Sequence, residues 1–225
     1  MLKTKIEHFY GSQEKHDLQL VRLVLDTEGL NEKEALENGW LIHESEWYAC
    51  RSVRLNLNKF KQSIIPDSIK IELLEQQPEC IDKIYDGFLE YKGYTEKFDI
   101  NHDLARAKWL LVSDEGNPVA FTKMISYDGG IESQFTCWNY HKPKMSLGKL
   151  MFSIESNIAN ELGYEHLYVG QGYEIGSAYK SSFKGFEWWT GADWSSDIER
   201  YKTLCARDST INTLEDLAIA YRGKY

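Results

Sequence analysis

The chain has no CxxC pair: its four cysteines, Cys50, Cys80, Cys137 and Cys205, stand far apart, so free thiols are expected. Its six histidines never fall at metal-ligand spacing beside carboxylates or cysteines, and no metal is expected. No apolar run is long enough to span a bilayer. Met1-Leu2-Lys3-Thr4-Lys5-Ile6-Glu7 has no signal-peptide apolar core. A soluble, cytoplasmic chain with no membrane partner is the expectation. No internal repeat or low-complexity segment occurs.

Positive charge is also short. The formal net charge is -9, which argues against a protein that coats nucleic acid nonspecifically, because most of its surface would repel phosphate. Two local cationic stretches survive. Between Glu46 and Asp67 the formal charges are Arg51, Arg54, Lys59 and Lys61; between Glu132 and Glu155 they are Lys142, Lys144 and Lys149. Each stretch reads either as a phosphate-facing surface or as ordinary solvated surface. Apolar material is ample: 225 residues with 42% hydrophobic content can bury a normal core without a staple. Two packed parts are expected, an N-terminal subdomain over residues 1–80 and a larger domain over residues 81–225.

Residues 138–191 organise the rest. Leu147, Leu150, Met151, Ile154, Ile158 and Leu162 recur at the spacing of one helix face, which predicts an amphipathic helix lying on a sheet. Ser146 stands where an N-cap belongs and Gly163 where a left-handed C-cap belongs. The following His166-Leu167-Tyr168-Val169-Gly170-Gln171-Gly172-Tyr173 predicts a buried strand whose glycine-bearing tip opens. Strand, helix and parallel strand make a right-handed crossover, and N–H groups at the helix head, near residues 146–149, form a place for an anion.

Upstream, residues 12–25 read as helix or apolar strand. Asn31 with Glu34 is a capping box opening a short helix that Gly39 closes. Trp40-Leu41-Ile42 precedes a turn and then a run from Trp47 to Leu57 whose last part alternates as a strand does. Residues 81–91 predict an amphipathic helix and residues 92–103 a surface loop. Residues 107–112, 119–127 and 131–138, joined by tight turns, predict an antiparallel meander. Beyond the crossover come a short helix at 175–183, a strand at 186–190 and closing helices at 196–205 and 213–221, the last with a Thr213/Asp216 start. Meander, crossover, short helix and strand is the order of the GCN5-related acetyltransferases. The fold class expected is therefore α+β, an acetyltransferase-like mixed sheet flanked by helices, with the N-terminal subdomain packed on it. Where that family carries two spaced glycines to grip a pyrophosphate, this chain has Lys142-Pro143-Lys144-Met145-Ser146-Leu147-Gly148-Lys149, with one.

Two separated blocks also resemble the arginyl-tRNA–protein transferase family, including its bacterial leucyl-transferring relatives. The later block is Ser146-Leu147-Gly148, Glu155, Ala159, Glu161-Leu162-Gly163, His166-Leu167-Tyr168-Val169-Gly170, Tyr179-Lys180 and Phe183. The earlier is Leu36-Glu37-Asn38-Gly39-Trp40, Tyr48, Cys50-Arg51-Ser52-Val53-Arg54-Leu55 and Phe60. The resemblance covers residues 35–194. It departs in the paired cysteines, of which Cys50 remains, and after the Gly170 strand, where Gln171-Gly172-Tyr173-Glu174 implies a different acceptor pocket.

The resemblance implies attack of an amine on the ester that joins an amino acid to tRNA. Such an ester is already activated, so the tasks are to position the amine, take its proton and stabilise the oxyanion, with no metal or covalent nucleophile. Tyr179, Lys180, Gln171 and Glu174 are the expected catalytic residues. Trp138, Tyr168, Gly170 and Tyr173, at the splayed strand ends, would bind the aminoacyl or acceptor portion as an added strand. Lys142, Lys144, Ser146, Gly148 and Lys149, with Arg51 and Arg54, would hold tRNA phosphates; the alternative for the two arginines is a salt-bridged structural role. Tyr179 alternatively is a core aromatic, Gln171 and Glu174 loop polar groups, and Glu155 either a buried structural carboxylate or an acid–base group. Trp188, Trp189 and Trp194 pack the sheet, or one stacks on the terminal adenine. The expected function is an aminoacyl-tRNA-dependent aminoacyltransferase with charged tRNA as co-substrate, no other cofactor, and a peptide, protein N-terminus or small amine as acceptor. The alternatives are an acetyl-coenzyme A-dependent N-acyltransferase and a noncatalytic binding member of the same fold.

Overall fold

The computed structural model describes residues 4–9, 20–25, 31–43, 46–94, 97, 99–101, 103–139, 146–173, 175–211, 213, 215, 216 and 219. Contacts divide the chain into two compact units. The first takes Met1–Arg54 and Gln171–Tyr225, the second Leu55–Gly170, so the first unit draws on both ends of the sequence.

The first unit opens with β1 (Thr4–Phe9) antiparallel to β2 (Leu20–Leu25), which settles the strand alternative for that part of residues 12–25. The rest of that run, residues 12–19, lies outside the described residues. α1 (Glu32–Glu37) begins where the capping box places it, with Asn31 Oδ1 accepting the Glu34 N–H at 3.1 Å. β3 (Trp40–His43) and β4 (Glu46–Ala49) complete a four-stranded sheet of order β1-β2-β4-β3. The expected run through residue 57 is not one strand: it breaks at Cys50 and Arg51, and β5 (Ser52–Asn56) starts afresh. The cause is long-range. Arg51 O accepts the Gly172 N–H at 2.8 Å and Arg51 N–H donates to the Tyr173 hydroxyl at 2.9 Å, so its backbone leaves the β4 ladder.

In the second unit β6 (Ile69–Leu74), a strand the sequence reading did not expect, pairs antiparallel with β7 (Ala107–Asp114). β8 (Asn117–Tyr127) and β9 (Gly130–Trp138) complete the meander. β10 (His166–Gln171) joins β9 in parallel, giving a mixed sheet of order β10-β9-β8-β7-β6. α2 (Ile81–Lys92) ends at Gly93, whose φ of 71° is the left-handed conformation that glycine adopts without strain. It packs Ile81, Ile84, Tyr85 and Leu89 against Trp109, Leu111, Phe121 and Cys137.

α3 (Leu147–Glu161) lies on the other side of the sheet. Adjacent strand residues point to opposite faces: Phe121 joins the α2 cluster, while Thr122 donates to Glu155 on α3. α3 ends in a Schellman motif, Gly163 N–H to Asn160 O at 3.1 Å and Tyr164 N–H to Ala159 O at 3.2 Å, with Gly163 at φ 81°. Its start differs from expectation. Ser146 is left-handed (φ 46°) and its side chain makes no capping bond.

Back in the first unit, the chain forms a 3-10 helix over Ile175–Ser182, β11 (Phe186–Trp189), β12 (Trp194–Ser195) and α4 (Ile198–Asp208). Asp197 caps α4 by accepting the Arg200 N–H at 3.0 Å. Thr213 and Asp216 form the expected reciprocal box, each side chain accepting the other's N–H at 3.0 and 2.9 Å. Most of the closing helix beyond them lies outside the described residues.

Candidate active site

β9 and β10 run side by side for a short distance only. Leu167 faces Ile131 and Tyr168 faces Glu132; past that pair, no further β9–β10 pairing is recorded among the described residues. β9 nevertheless continues to Trp138 and β10 to Gln171. Gly170, at φ 70°, turns the tip of β10 with a backbone that a β-carbon would strain. The result is a V of parallel strands that part beyond the Glu132–Tyr168 pair. α3 starts nine residues after Trp138 in sequence, with Lys149 and Leu150 N–H bonded back to Ser146 O at 2.9 and 3.1 Å. Trp138 stands against that head: a β-carbon on Gly148 would lie 3.1 Å from its indole. Lys142 and Lys144, placed by the sequence reading beside this turn, lie outside the described residues, whereas Lys149 is exposed on α3.

At the apex of the V is a cluster that the sequence reading missed. β8 and β9 slip register between Lys123 and Met124, where Lys123 faces Phe135 but Met124 faces Ser133, so Gln134 is an extra residue. In a regular strand Glu132 and Phe135 would point to opposite faces. The bulge resets the alternation and turns Glu132 to the α2 side, with Lys123 and Tyr127. Lys123 is 0% exposed and Glu132 1%. The Tyr127 hydroxyl donates to Glu132 Oε2 at 3.1 Å, and the Arg106 guanidinium lies 4.8 Å from the Tyr127 ring centre. Burial pushes the Glu132 carboxyl up to about 8, opposed by the Tyr127 hydrogen bond and by Lys123. Burial pushes Lys123 down to about 8, opposed by Asp103, Asp99 and Glu132. The two groups therefore change protonation in one range, just above neutrality. Tyr127 is driven far up by burial and by Glu132 and stays protonated.

On the α3 side, Glu155 accepts from Thr122 Oγ1 at 2.5 Å and Thr136 Oγ1 at 2.9 Å. It is 2% exposed and held by hydroxyls on two neighbouring strands, the buried-carboxylate alternative of the sequence reading.

The remaining expected site residues belong to the first unit. Arg51 is bonded to Asp208 and, at 3.3 Å, to Gly172 O. Arg54 bonds Glu187 at 2.8 Å and lies 4.1 Å from the Trp194 ring centre. Both guanidinium groups are buried, so the salt-bridged alternative describes them, and a tRNA phosphate would have to displace a carboxylate to reach either. Lys180 Nζ donates to Gln171 O at 2.9 Å and pins the end of β10 to the 3-10 helix. Tyr179 is exposed and Tyr173 receives the Arg51 N–H; Glu174 lies outside the described residues. Gly172 is required: a β-carbon there would sit 2.5 Å from the Tyr201 hydroxyl and 2.6 Å from Val53. Among the described residues, no group of three or more His, Cys, Asp or Glu side chains is placed to hold a metal, and no helix is long and apolar enough to cross a membrane.

No family model matches the chain. No curated protein matches it. Among solved structures it is similar to the C-terminal domain of a candidate lysylphosphatidylglycerol synthetase from Agrobacterium fabrum, at 16% identity and a TM-score of 0.45, over 58% of this chain and 49% of that one. A GCN5-related N-acetyltransferase from Kribbella flavida gives 16% identity and 0.41 over 54% and 48%. A conserved protein of unknown function from Staphylococcus epidermidis gives 14% and 0.40 over 71% and 66%. The chain spans about half the length of the first two.

Proposed function

We propose that this protein is an acyl-transfer enzyme that moves an aminoacyl group from charged tRNA onto an amine, the N-terminus of a peptide or protein or a small molecule. The observation that carries the reading is the parting of β9 and β10 directly after the Glu132–Tyr168 pair, with an ionisable cluster at that point. An extended aminoacyl or acceptor chain would enter between the parted strands, in the manner of an added strand. In the reaction the amine nitrogen bonds to the ester carbonyl carbon and loses a proton, and the bond from that carbon to the ribose oxygen breaks as the oxygen gains one. Glu132, raised to about 8, has the proton affinity of a base working near neutral pH, and Lys123, lowered to about 8, that of the matching acid. Tyr127 holds the carboxyl in place. Within the first unit, Lys180 holds the Gln171 carbonyl, and Tyr179, next to it in sequence, carries an exposed hydroxyl. Lys142, Lys144 and Lys149 supply the charge that meets the acceptor-stem phosphates.

A coenzyme A donor is disfavoured by the head of α3, where one glycine stands in the first turn and the Trp138 ring covers it. The test is transfer of a labelled amino acid from a panel of charged tRNAs to peptides by the purified protein. Ribonuclease-sensitive transfer is expected. Transfer that survives ribonuclease and needs acetyl-coenzyme A would replace this reading with the other donor, and no transfer with any donor would leave a binding module.

A further inference from the structure

Between α2 and β7 the chain passes through Asp103, which precedes the 3-10 turn Leu104–Arg106 in the place of a helix cap. Its side chain makes no capping bond. Its backbone is left-handed (φ 53°, ψ 30°), a strained conformation that a non-glycine residue keeps only where its surroundings hold it. The residue is half-buried, but Oδ2 is sealed from solvent and, among the described residues, has no hydrogen-bond partner. Leaving such an oxygen without a donor costs stability, and a donor brought by a ligand removes that cost.

The register of the sheet fixes what Asp103 faces. Ala107 pairs with Ile125 across β7 and β8, and Ile125 with Glu132 across β8 and β9, so the start of β7 stands in one cross-strand row with Glu132. The Arg106 guanidinium lies over the Tyr127 ring, three residues on from Asp103. Burial is the largest influence on the proton affinities of Lys123, Glu132 and Tyr127, and the charge of Asp103 adds a pull toward the protonated form of all three. The other carboxylate acting on Lys123 from this loop is Asp99, whose Oδ1 already accepts the Asn101 N–H at 2.8 Å. Asp103 Oδ2 is thus an anionic acceptor lacking a donor, within electrostatic reach of the base of the proposed reaction.

We propose that Asp103 holds the acceptor amine in its ammonium form, so that the acceptor class is the primary alkylammonium group; this deepens the transferase reading and rests on it. Charge alone would admit any cation. The oxygen without a donor calls for one that carries N–H, and a primary ammonium has three such bonds to offer. A hydroxyl acceptor lacks the charge, and a quaternary ammonium lacks the proton. The ammonium carries one proton more than the amine that attacks. The Glu132 carboxylate takes that proton, the electron pair of the broken N–H bond stays on nitrogen, and the pair then forms the bond to the ester carbonyl carbon.

The first test uses the whole protein and needs no donor. Butylammonium, tetramethylammonium and butanol are each titrated at neutral pH, with binding read by saturation-transfer NMR. Butylammonium is expected to bind about 10-fold more tightly than either of the others. Asp103→Asn, whose side chain suits a left-handed backbone, should erase that preference while circular dichroism stays native. Glu90→Gln, which removes an equal charge from an exposed position on α2, should keep it. No butylammonium binding at tens of millimolar, equal binding of tetramethylammonium, or a preference that survives Asp103→Asn overturns the proposal. In the transfer assay Asp103→Asn should raise the acceptor KM about 10-fold and leave kcat within a factor of about 3, the mark of lost binding rather than lost chemistry. An unchanged KM overturns the proposal as well. Ammonium-selective binding without transfer from any donor removes only the transferase reading, and transfer without such binding removes only this role of Asp103.

Discussion

Arg51 and Arg54 in the first unit, and Lys123 and Glu132 in the second, are all nearly sealed from water, yet their surroundings differ. Each arginine meets a carboxylate at ion-pair distance, Asp208 or Glu187, with a backbone carbonyl or an indole face completing its contacts. A guanidinium cannot shed its proton, so a buried one has to be matched by a charge. Lysine and glutamate can change protonation instead, and burial drives both toward about 8. The first arrangement holds a structure together; the second keeps a proton that can move at neutral pH. Groups of that second kind, placed where two strands part, are the ones the proposed transfer reaction uses to carry its proton.

Four changes break or sharpen this contrast. The largest effect is expected for Glu132→Gln, which should slow transfer by about 10²- to 10⁴-fold, the range of a lost general base. The same variant has a stability signature. The folded chain holds a proton on Glu132 between its ordinary 4.5 and about 8, so stability falls as pH rises through that window. Lys123 lies below its ordinary 10.5, so stability climbs again above about 8. Unfolding midpoints measured across pH should therefore pass through a minimum near 8 in the parent protein, and the descending limb, on the order of 2–5 kcal/mol, should vanish in Glu132→Gln.

Asp208→Ala comes next. It strands the buried Arg51 cation and should cost about 3–5 kcal/mol in denaturant unfolding, while Arg51→Met with Asp208→Leu should recover most of the loss. If Asp208→Ala were neutral in stability, the division into struts and proton carriers would fail. Glu155→Gln keeps one oxygen acceptor for Thr122 and Thr136 but puts a buried amide where the second carboxyl oxygen stood, and a loss of about 1–2 kcal/mol is expected by the same measurement. The smallest effect, a gain of roughly 0.5–1 kcal/mol, is expected for Ser146→Gly: the residue is left-handed and its hydroxyl caps nothing, so only strain is removed.

Much of the framework was legible because it is written in short-range patterns. The three-and-four spacing from Leu147 marked α3, Gly39 and Gly163 marked the ends of α1 and α3, and the Asn31/Glu34 and Thr213/Asp216 boxes formed as read. The opening of β10 was legible from Gly170. The proton-handling cluster was not, because Glu132 reads as a polar residue in a strand until Gln134 is counted as an extra one. Arg51 and Arg54 were read as either phosphate-facing or salt-bridged, and the pattern could not choose or name their partners, since the carboxylates stand 157 and 133 positions away.

The sequence by itself determined the meander, the α3 crossover, the amphipathic α2 and that the crossover ends in an opened strand, because periodicity and cap chemistry act within a few residues. The tertiary structure alone decided which buried charge meets which, that Arg51 leaves its strand for Gly172 and Tyr173, and that a bulge swings Glu132 to the face of Lys123. Register and burial are set by contacts between distant segments, and the proton affinity of a side chain follows from the burial those contacts impose.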